Sequence, residues 1–249
     1  MTRTERNPFH PWDRWFDGPV GQALLNLEQG WIDSQVQDTF GYEAFQIGPT
    51  RLDALRNNRI LNRRRISLFA PKAADSAVED QPEIVCSPTS LPIESESTDL
   101  LVLAHALEVC QDPHALVREA DRILIPEGRL VVVGLNPMSL WSLHRPVASV
   151  RFPAAELQWI STGRLRDWCR LLDLSVEAGA MGMYRPICQT QRGLDRLEWM
   201  ESAGGRWWPG LGAAYCITAV KRRAGIRLLS ARWKKAEQSS VGQVMGRPI

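Results

Sequence analysis

The sequence predicts an α/β protein built on a mostly parallel sheet, and three observations in the stretch from Thr98 to Trp141 carry that prediction. Leu100-Leu101-Val102-Leu103-Ala104 and Leu130-Val131-Val132-Val133 are unbroken apolar runs, too short for buried helices. Strands apolar on both faces belong to a sheet covered on both sides. Between them lies an amphipathic helix. Asp112 is its N-cap and Pro113 its first residue, and Leu116, Val117, Ala120, Ile123 and Leu124 form its apolar face. Pro126-Glu127-Gly128 then turns the chain. Strand, helix and strand in this order make a βαβ unit.

The remaining elements extend the pattern. Residues 1–17 read as a polar, aromatic lead-in. Gly18-Pro19 opens a helix that ends before Gly41, with Val20, Leu24, Leu27 and Trp31 spaced for one face. Trp12, Trp15, Phe16 and Trp31 read first as packing of this leading region against a sheet, and second as the lining of a substrate mouth. Tyr42–Ile47 reads as a strand ended by Gly48-Pro49, followed by a helix near Arg51–Asn57 and a strand near Ile66–Phe69. Residues 70–83 read as a loop, and Ile84–Cys86 as a short strand. A helix capped by Ser161 or Thr162 carries Leu165, Trp168, Cys169 and Leu172 on its apolar face. A strand at Leu174–Ala180, a short helix at Leu194–Met200, a turn-rich GGRWWPGLG and a final strand at Ala213–Val220 complete the series.

Composition bounds the function. With 249 residues and 44% hydrophobic content, the chain can bury a substantial core. A net charge of +2 argues for neither nucleic acid nor membrane. No apolar run reaches membrane-spanning length, and the N-terminus lacks the apolar core of a signal peptide. The five cysteines form no C-x-x-C pair, so neither zinc nor a disulfide framework is expected, and the chain reads as cytoplasmic. Arg51, Arg56, Arg59, Arg63, Arg64 and Arg65 read as a solvated face rather than a phosphate- or RNA-binding patch, because no aromatic residues interleave with them. The tail KRRAGIRLLSARWKK has seven basic residues and no acidic one, which leaves a weak prospect of RNA or anionic-membrane contact.

One family resemblance emerges in residues 84–141. Leu91-Pro92-Ile93, Asp99-Leu100-Leu101, His105, Arg118-Glu119-Ala120-Asp121-Arg122-Ile123-Leu124 and the turn Pro126-Glu127-Gly128 follow in the order seen in class I S-adenosylmethionine-dependent methyltransferases of the type 11 kind. The stretch is similar to the second half of such a domain, and the likeness extends more loosely over 42–222. It implies a three-layer Rossmann-like fold, with a mostly parallel seven-stranded sheet and an antiparallel last strand. It divides the chain into a leading helix region (1–40), a methyltransferase-like domain (41–222) and a basic tail (223–249).

The resemblance also implies S-adenosylmethionine as cofactor and a small-molecule methyl acceptor. It places Ile47, Gly48, Ser87, Leu91, Ala104 and His105 at the cofactor, and Glu108 and Asn136 in the cleft toward the acceptor. His105 is the catalytic candidate, as general base or as a packing residue; His114 is expected at the surface. The glycine-rich turn after the first strand is degenerate here. Phe45–Arg51 keeps only Gly48, and Pro49 removes a backbone donor. That erosion leaves room for an alternative, a methyltransferase-fold binding or regulatory protein without turnover.

Overall fold

A computed structural model of the chain describes residues 9–68, 84–144, 158–188 and 190–222. The loop expected at 70–83 and the basic tail from Arg223 lie outside them. Seven strands form one sheet: β1 (Glu43–Ile47), β2 (Asn62–Ser67), β3 (Ile84–Val85), β4 (Thr98–Ala104), β5 (Leu124–Leu135), β6 (Leu174–Gly182) and β7 (Ala214–Lys221). Their order is β3-β2-β1-β4-β5-β7-β6. The pairs from β3 through β5 are parallel, and β7 runs antiparallel to both β5 and β6. The expected architecture, with one antiparallel final strand, is the one observed.

The helices are α1 (His10–Trp15), α2 (Pro19–Val36), α3 (Ala106–Val109), α4 (Pro113–Ile123), α5 (Leu140–His144), α6 (Thr162–Leu171), α7 (Gln191–Arg196) and α8 (Trp199–Trp207). The caps read from sequence are in place. Asp112 accepts from the Ala115 amide at 2.9 Å, and Ser161 accepts from the Arg164 amide at 3.3 Å.

Strand residues alternate between two apolar layers, as the period of a strand requires. Phe45, Ile47, Leu101, Leu103, Leu130, Val132, Tyr215 and Ile217 face one layer with α1, α4 and α6. Ala44, Leu100, Val102, Ala104, Val131, Val133 and Cys216 face the other, where Ile32 and Val36 of α2 and the segment Leu52–Ile60 cover them. Both layers are filled, so β4 and β5 are apolar throughout.

Four local expectations are corrected. Residues 51–57 form turns, not a helix, closed by the Leu52 amide on the Pro49 carbonyl and the Asn58 amide on the Leu55 carbonyl. Buried Gln46 holds that segment instead: its amide donates to the Leu52 carbonyl, and its oxygen accepts from the Ala54 amide. The second strand starts earlier than its apolar end indicated, because the polar residues Asn62–Arg65 pair in register with β1, and the Asn62 side chain also donates to Glu43 of β1 at 2.8 Å. The lead-in contains α1. Of the turn-rich stretch Gly204–Gly212, residues 204–207 belong to α8, whose Gly204 sits where a Cβ would strike the Tyr184 ring, and Pro209–Leu211 form a single 3-10 turn.

Candidate active site at the carboxyl edge of the sheet

In open α/β sheets, ligands bind beyond the carboxyl ends of the strands, where neighbouring connections diverge to opposite sides. Here that point lies between β1 and β4. Gly48 ends β1 in close contact with Ala104 at the end of β4: a Cβ on Gly48 would lie 2.8 Å from both the Cβ and the carbonyl oxygen of Ala104. The surviving glycine is therefore required by strand packing. Ile47 and Ala104 are buried beside it.

His105 is the next residue, and it is the centre of the site. Its backbone is left-handed, with φ of 51°, and its amide still donates to Val133 at 2.9 Å, continuing the β4–β5 ladder. A non-glycine residue in this region carries strain, which is a marker of functional sites. The imidazole is fully buried between two fully buried carboxylates. Nε2 lies 3.2 Å from Glu28 of α2, and Nδ1 lies 3.6 Å from Glu108 of α3. Glu108 is fixed in turn by the Leu135 amide, which donates to it at 2.7 Å. Trp12 of α1 stacks on the imidazole with centroids 3.9 Å apart and planes 20° from parallel.

Burial alone would push the His105 pKa down. The charge of Glu28, with hydrogen bonding to both glutamates, outweighs it and raises the pKa to about 10. At neutral pH the ring is an imidazolium whose two N–H groups face carboxylates. It has no lone pair to offer, so the general-base reading of His105 does not fit this geometry. Tyr215 completes the cluster. Its hydroxyl and a Glu108 oxygen each lie 2.7 Å from where a Gly134 side chain would begin. Burial, and then the Glu108 charge, holds the phenol well above its ordinary pKa, so it stays protonated.

Glu28 Oε1, Glu108 Oε2 and the Tyr215 hydroxyl are buried without a hydrogen-bond partner. Native interiors leave few such atoms, and each costs about 1–3 kcal/mol. Sequence reasoning missed Glu28 and Tyr215, and read Trp12 first as packing and second as the lining of a substrate mouth. Glu28 was legible: it sits four residues from both Leu24 and Ile32 on the buried stripe of α2, an unusual place for a carboxylate.

The other expected site residues lie elsewhere or are engaged otherwise. Ser87 is exposed, its hydroxyl 3.0 Å from that of Thr89. The buried Leu91 donates its amide to Glu119 at 3.0 Å. Asn136 is spent on backbone: its amide donates to the Gly210 and Gly212 carbonyls, both at 2.9 Å, and its oxygen accepts from Met138 at 3.1 Å. It does not join the Glu108 cluster. His114, expected at the surface, is half-buried edge-on against Trp168. Of the aromatic residues, Trp12 and Phe16 are fully buried, and Trp15 meets Trp141 at 5.9 Å. The arginine segment is tied down by Arg51 to Asp17, Arg56 to Asp33 and Arg65 to Asp53. Among the described residues, no metal-binding group of acidic, histidine and cysteine side chains occurs, and no helix is long and apolar enough to cross a membrane.

Residues 66–132 match the methyltransferase domain family. The uncharacterized protein YafS of Escherichia coli (strain K12) is 39% identical over 166 residues, which cover 66% of this chain. The chain spans 65% of the length of that relative. Demethylmenaquinone methyltransferase of Chlamydia pneumoniae is 32% identical over 74 residues, 28% of this chain and 32% of its own length. Among solved structures, an S-adenosylmethionine-dependent methyltransferase of Thermotoga maritima, a possible histamine N-methyltransferase, superposes with a TM-score of 0.61. That match covers 86% of this chain and 100% of the other, at 17% identity, and speaks for the fold alone.

Proposed function

We propose that the chain is a class I S-adenosylmethionine-dependent methyltransferase and transfers a methyl group from S-adenosylmethionine to a small-molecule acceptor, a reading supported by the domain match over residues 66–132 and by the strand order of the sheet. One observation supports the reading above the others. A strained, fully buried Glu28–His105–Glu108–Tyr215 cluster sits at the carboxyl edge of β4 and β5, where this fold binds its ligand.

The residues present fit the cofactor. Two carboxylates with unpartnered oxygens are the complement of a ligand that carries positive charge and N–H donors. Ile47, Gly48 and Ala104 would hold its methionyl part, and Ser87 and Leu91 its adenosyl part. When bound, it supplies an electrophilic methyl on a sulfonium. The chain's own contribution is alignment and exclusion of water, which can account for much of the rate. The His105 ring, set between the two glutamates, holds both in orientation. A glutamate oxygen, Glu28 Oε1 or Glu108 Oε2, is then the group able to take a proton from a protic acceptor.

Thermal melting of the full chain with and without S-adenosylmethionine tests the proposal. At about a hundred times its dissociation constant, a ligand adds roughly 2.7 kcal/mol, or about 5–10 °C for a domain of this size. No shift at millimolar ligand would sink it. A second reading, a binding protein of this fold without turnover, is favoured by residues 48–61, where turns replace the helix expected after the first strand. Saturable binding with no methyl transfer to any acceptor tried would select that reading.

A further inference from the structure

At the amino edge of the sheet, opposite the candidate site, large apolar side chains stand in solvent just before β1 and β2. Phe40 is 66% exposed, Tyr42 82% and Leu61 91%. Single exposed apolar residues are ordinary, but these three are neighbours and form a patch. The Asn62 amide donates to the Tyr42 carbonyl at 3.3 Å, which sets Leu61 beside Tyr42. Buried Asn58 clips the same two segments: it donates to the Thr39 carbonyl at 3.4 Å and accepts from the Ile60 amide at 2.8 Å. Asp99 fixes the other side, accepting from the Tyr42 amide at 2.7 Å and the Glu43 amide at 3.0 Å. The backbone under the patch is therefore held in place while its side chains face outward.

Its flanks are cationic. Arg59 lies over the Phe40 ring, 5.5 Å from the centroid, and Arg63 and Arg64 are exposed at the start of β2. Asp38, two residues before Phe40, is exposed and offsets one of them, while Glu43 is engaged by Asn62. The basic tail leaves from this same edge. In register, Val220 of β7 lies beside Arg129, Arg129 beside Leu100 and Leu100 beside Ala44. The end of β7 at Lys221 is thus three strand spacings, about 15 Å, from the start of β1. Residues 223–235 carry five basic residues and no acidic one, with Ile226, Leu228, Leu229 and Trp233 among them. Two cationic elements repel each other, which argues against the tail as the complement of the patch. An anionic surface with an apolar interior complements both. We propose that Phe40, Tyr42 and Leu61, flanked by Arg59, Arg63 and Arg64, dock the chain on an anionic lipid bilayer and leave the carboxyl edge of the sheet toward water. Leu61, the most exposed of the three, favours a bilayer over RNA, because it has no π face on which a base could stack.

Flotation of the full chain with vesicles tests this. Vesicles of phosphatidylcholine with phosphatidylserine should bind it about tenfold or more better than pure phosphatidylcholine, and added salt should release it. The full-chain double variant Tyr42→Ser/Leu61→Ser, altered only at solvent-exposed positions, should melt as the wild type does and bind about tenfold more weakly. Arg59→Gln/Arg64→Gln should weaken binding to the anionic vesicles by a similar factor and leave the weak binding to neutral ones unchanged. Equal binding of the wild type to both kinds of vesicle, or to neither, overturns the inference whether or not the variants fold. Wild-type affinity in Tyr42→Ser/Leu61→Ser overturns it too, since the tail then carries the contact alone. Salt-sensitive binding of a single-stranded RNA that Tyr42→Ser abolishes, and that anionic vesicles do not displace, would assign the patch to nucleic acid instead.

Discussion

The Nε2 atom of His105 lies 3.2 Å from the Glu28 carboxylate, with neither side chain open to solvent. This contact joins α2 to the loop after β4 and so ties the leading region to the centre of the sheet.

That contact makes stability pH-dependent. Burial lowers the His105 pKa, but the charge of Glu28 and the bonds from both glutamates raise it overall, from 6.5 to about 10. A folded-state pKa above the unfolded one means that the native protein holds the extra proton. The stabilisation is fully present below about pH 6.5 and is lost as pH rises to about 10. Within that window the residue contributes a slope of about 1.4 kcal/mol per pH unit, falling with pH. His105→Asn, which tolerates the left-handed backbone, should lack this slope. Urea denaturation between pH 6.5 and 8.5 checks it: the gap between wild type and variant should narrow as pH rises.

The Gly48–Ala104 contact predicts a coupled pair. Gly48→Ala places a methyl 2.8 Å from both Ala104 Cβ and its carbonyl oxygen, so the ends of β1 and β4 must part. Overpacking of this kind costs about 1–3 kcal/mol. Ala104→Gly removes the side-chain half of the clash. The double variant should therefore be less destabilised than the sum of the single ones, as measured by denaturant titration. Strict additivity would show that the contact is not the reason for glycine here.

Legibility followed the physics of each segment. Strands β4 and β5 were readable because burial on both faces leaves no polar alternation. Helix α4 was readable because Asp112, Pro113 and an apolar stripe all mark it. The segment 51–57 misled, since its composition suits a helix while Gln46, a residue from the preceding strand, ties it into turns. Of the site, His105 and Glu108 were found from their place after β4. Glu28 and Tyr215 come from elements far away in sequence, and only the fold brings them to the same ring. Asn136 fell near enough to be expected in the cleft, but the carbonyls of Gly210 and Gly212 claim its amide.

The R-E-x-x-R segment makes a prediction about fold rather than catalysis. Arg122 donates to the carbonyls of Leu91 and Ile93, both at 2.9 Å, and to Ser95 at 3.0 Å, while pairing with Glu119. Glu119 also accepts from the Leu91 amide. The pair clips α4 to the loop before β4. Arg122→Lys keeps the charge but loses the planar fork, and at this partly exposed site should cost about 1–2 kcal/mol. Glu119→Gln retains an acceptor for Leu91 and should cost less. The midpoints of urea denaturation rank the two, and the reverse order would show that the carboxylate, not the fork, holds the loop.

Helix α1 makes the last prediction, because it crosses the carboxyl edge of the sheet. Its Asp13 accepts from the Arg51 amide at 3.2 Å, its Trp12 stacks on His105 and its Trp15 meets Trp141. These anchors reach the turn after β1, the end of β4 and the region after β5. Trp12 is the central one, fully buried, with Phe16 5.9 Å away. Trp12→Ala removes the ring and leaves a cavity, at a cost of about 3–5 kcal/mol if the helix stays docked. The helix has only six residues and cannot persist without its anchors. The expected result is therefore local: amide hydrogen exchange rises across Phe9–Asp17, while β4 and β5 keep their protection. If protection falls equally across the sheet, α1 is inseparable from the core. Retained protection in α1 would mean that Trp15 and Phe16 suffice to hold it.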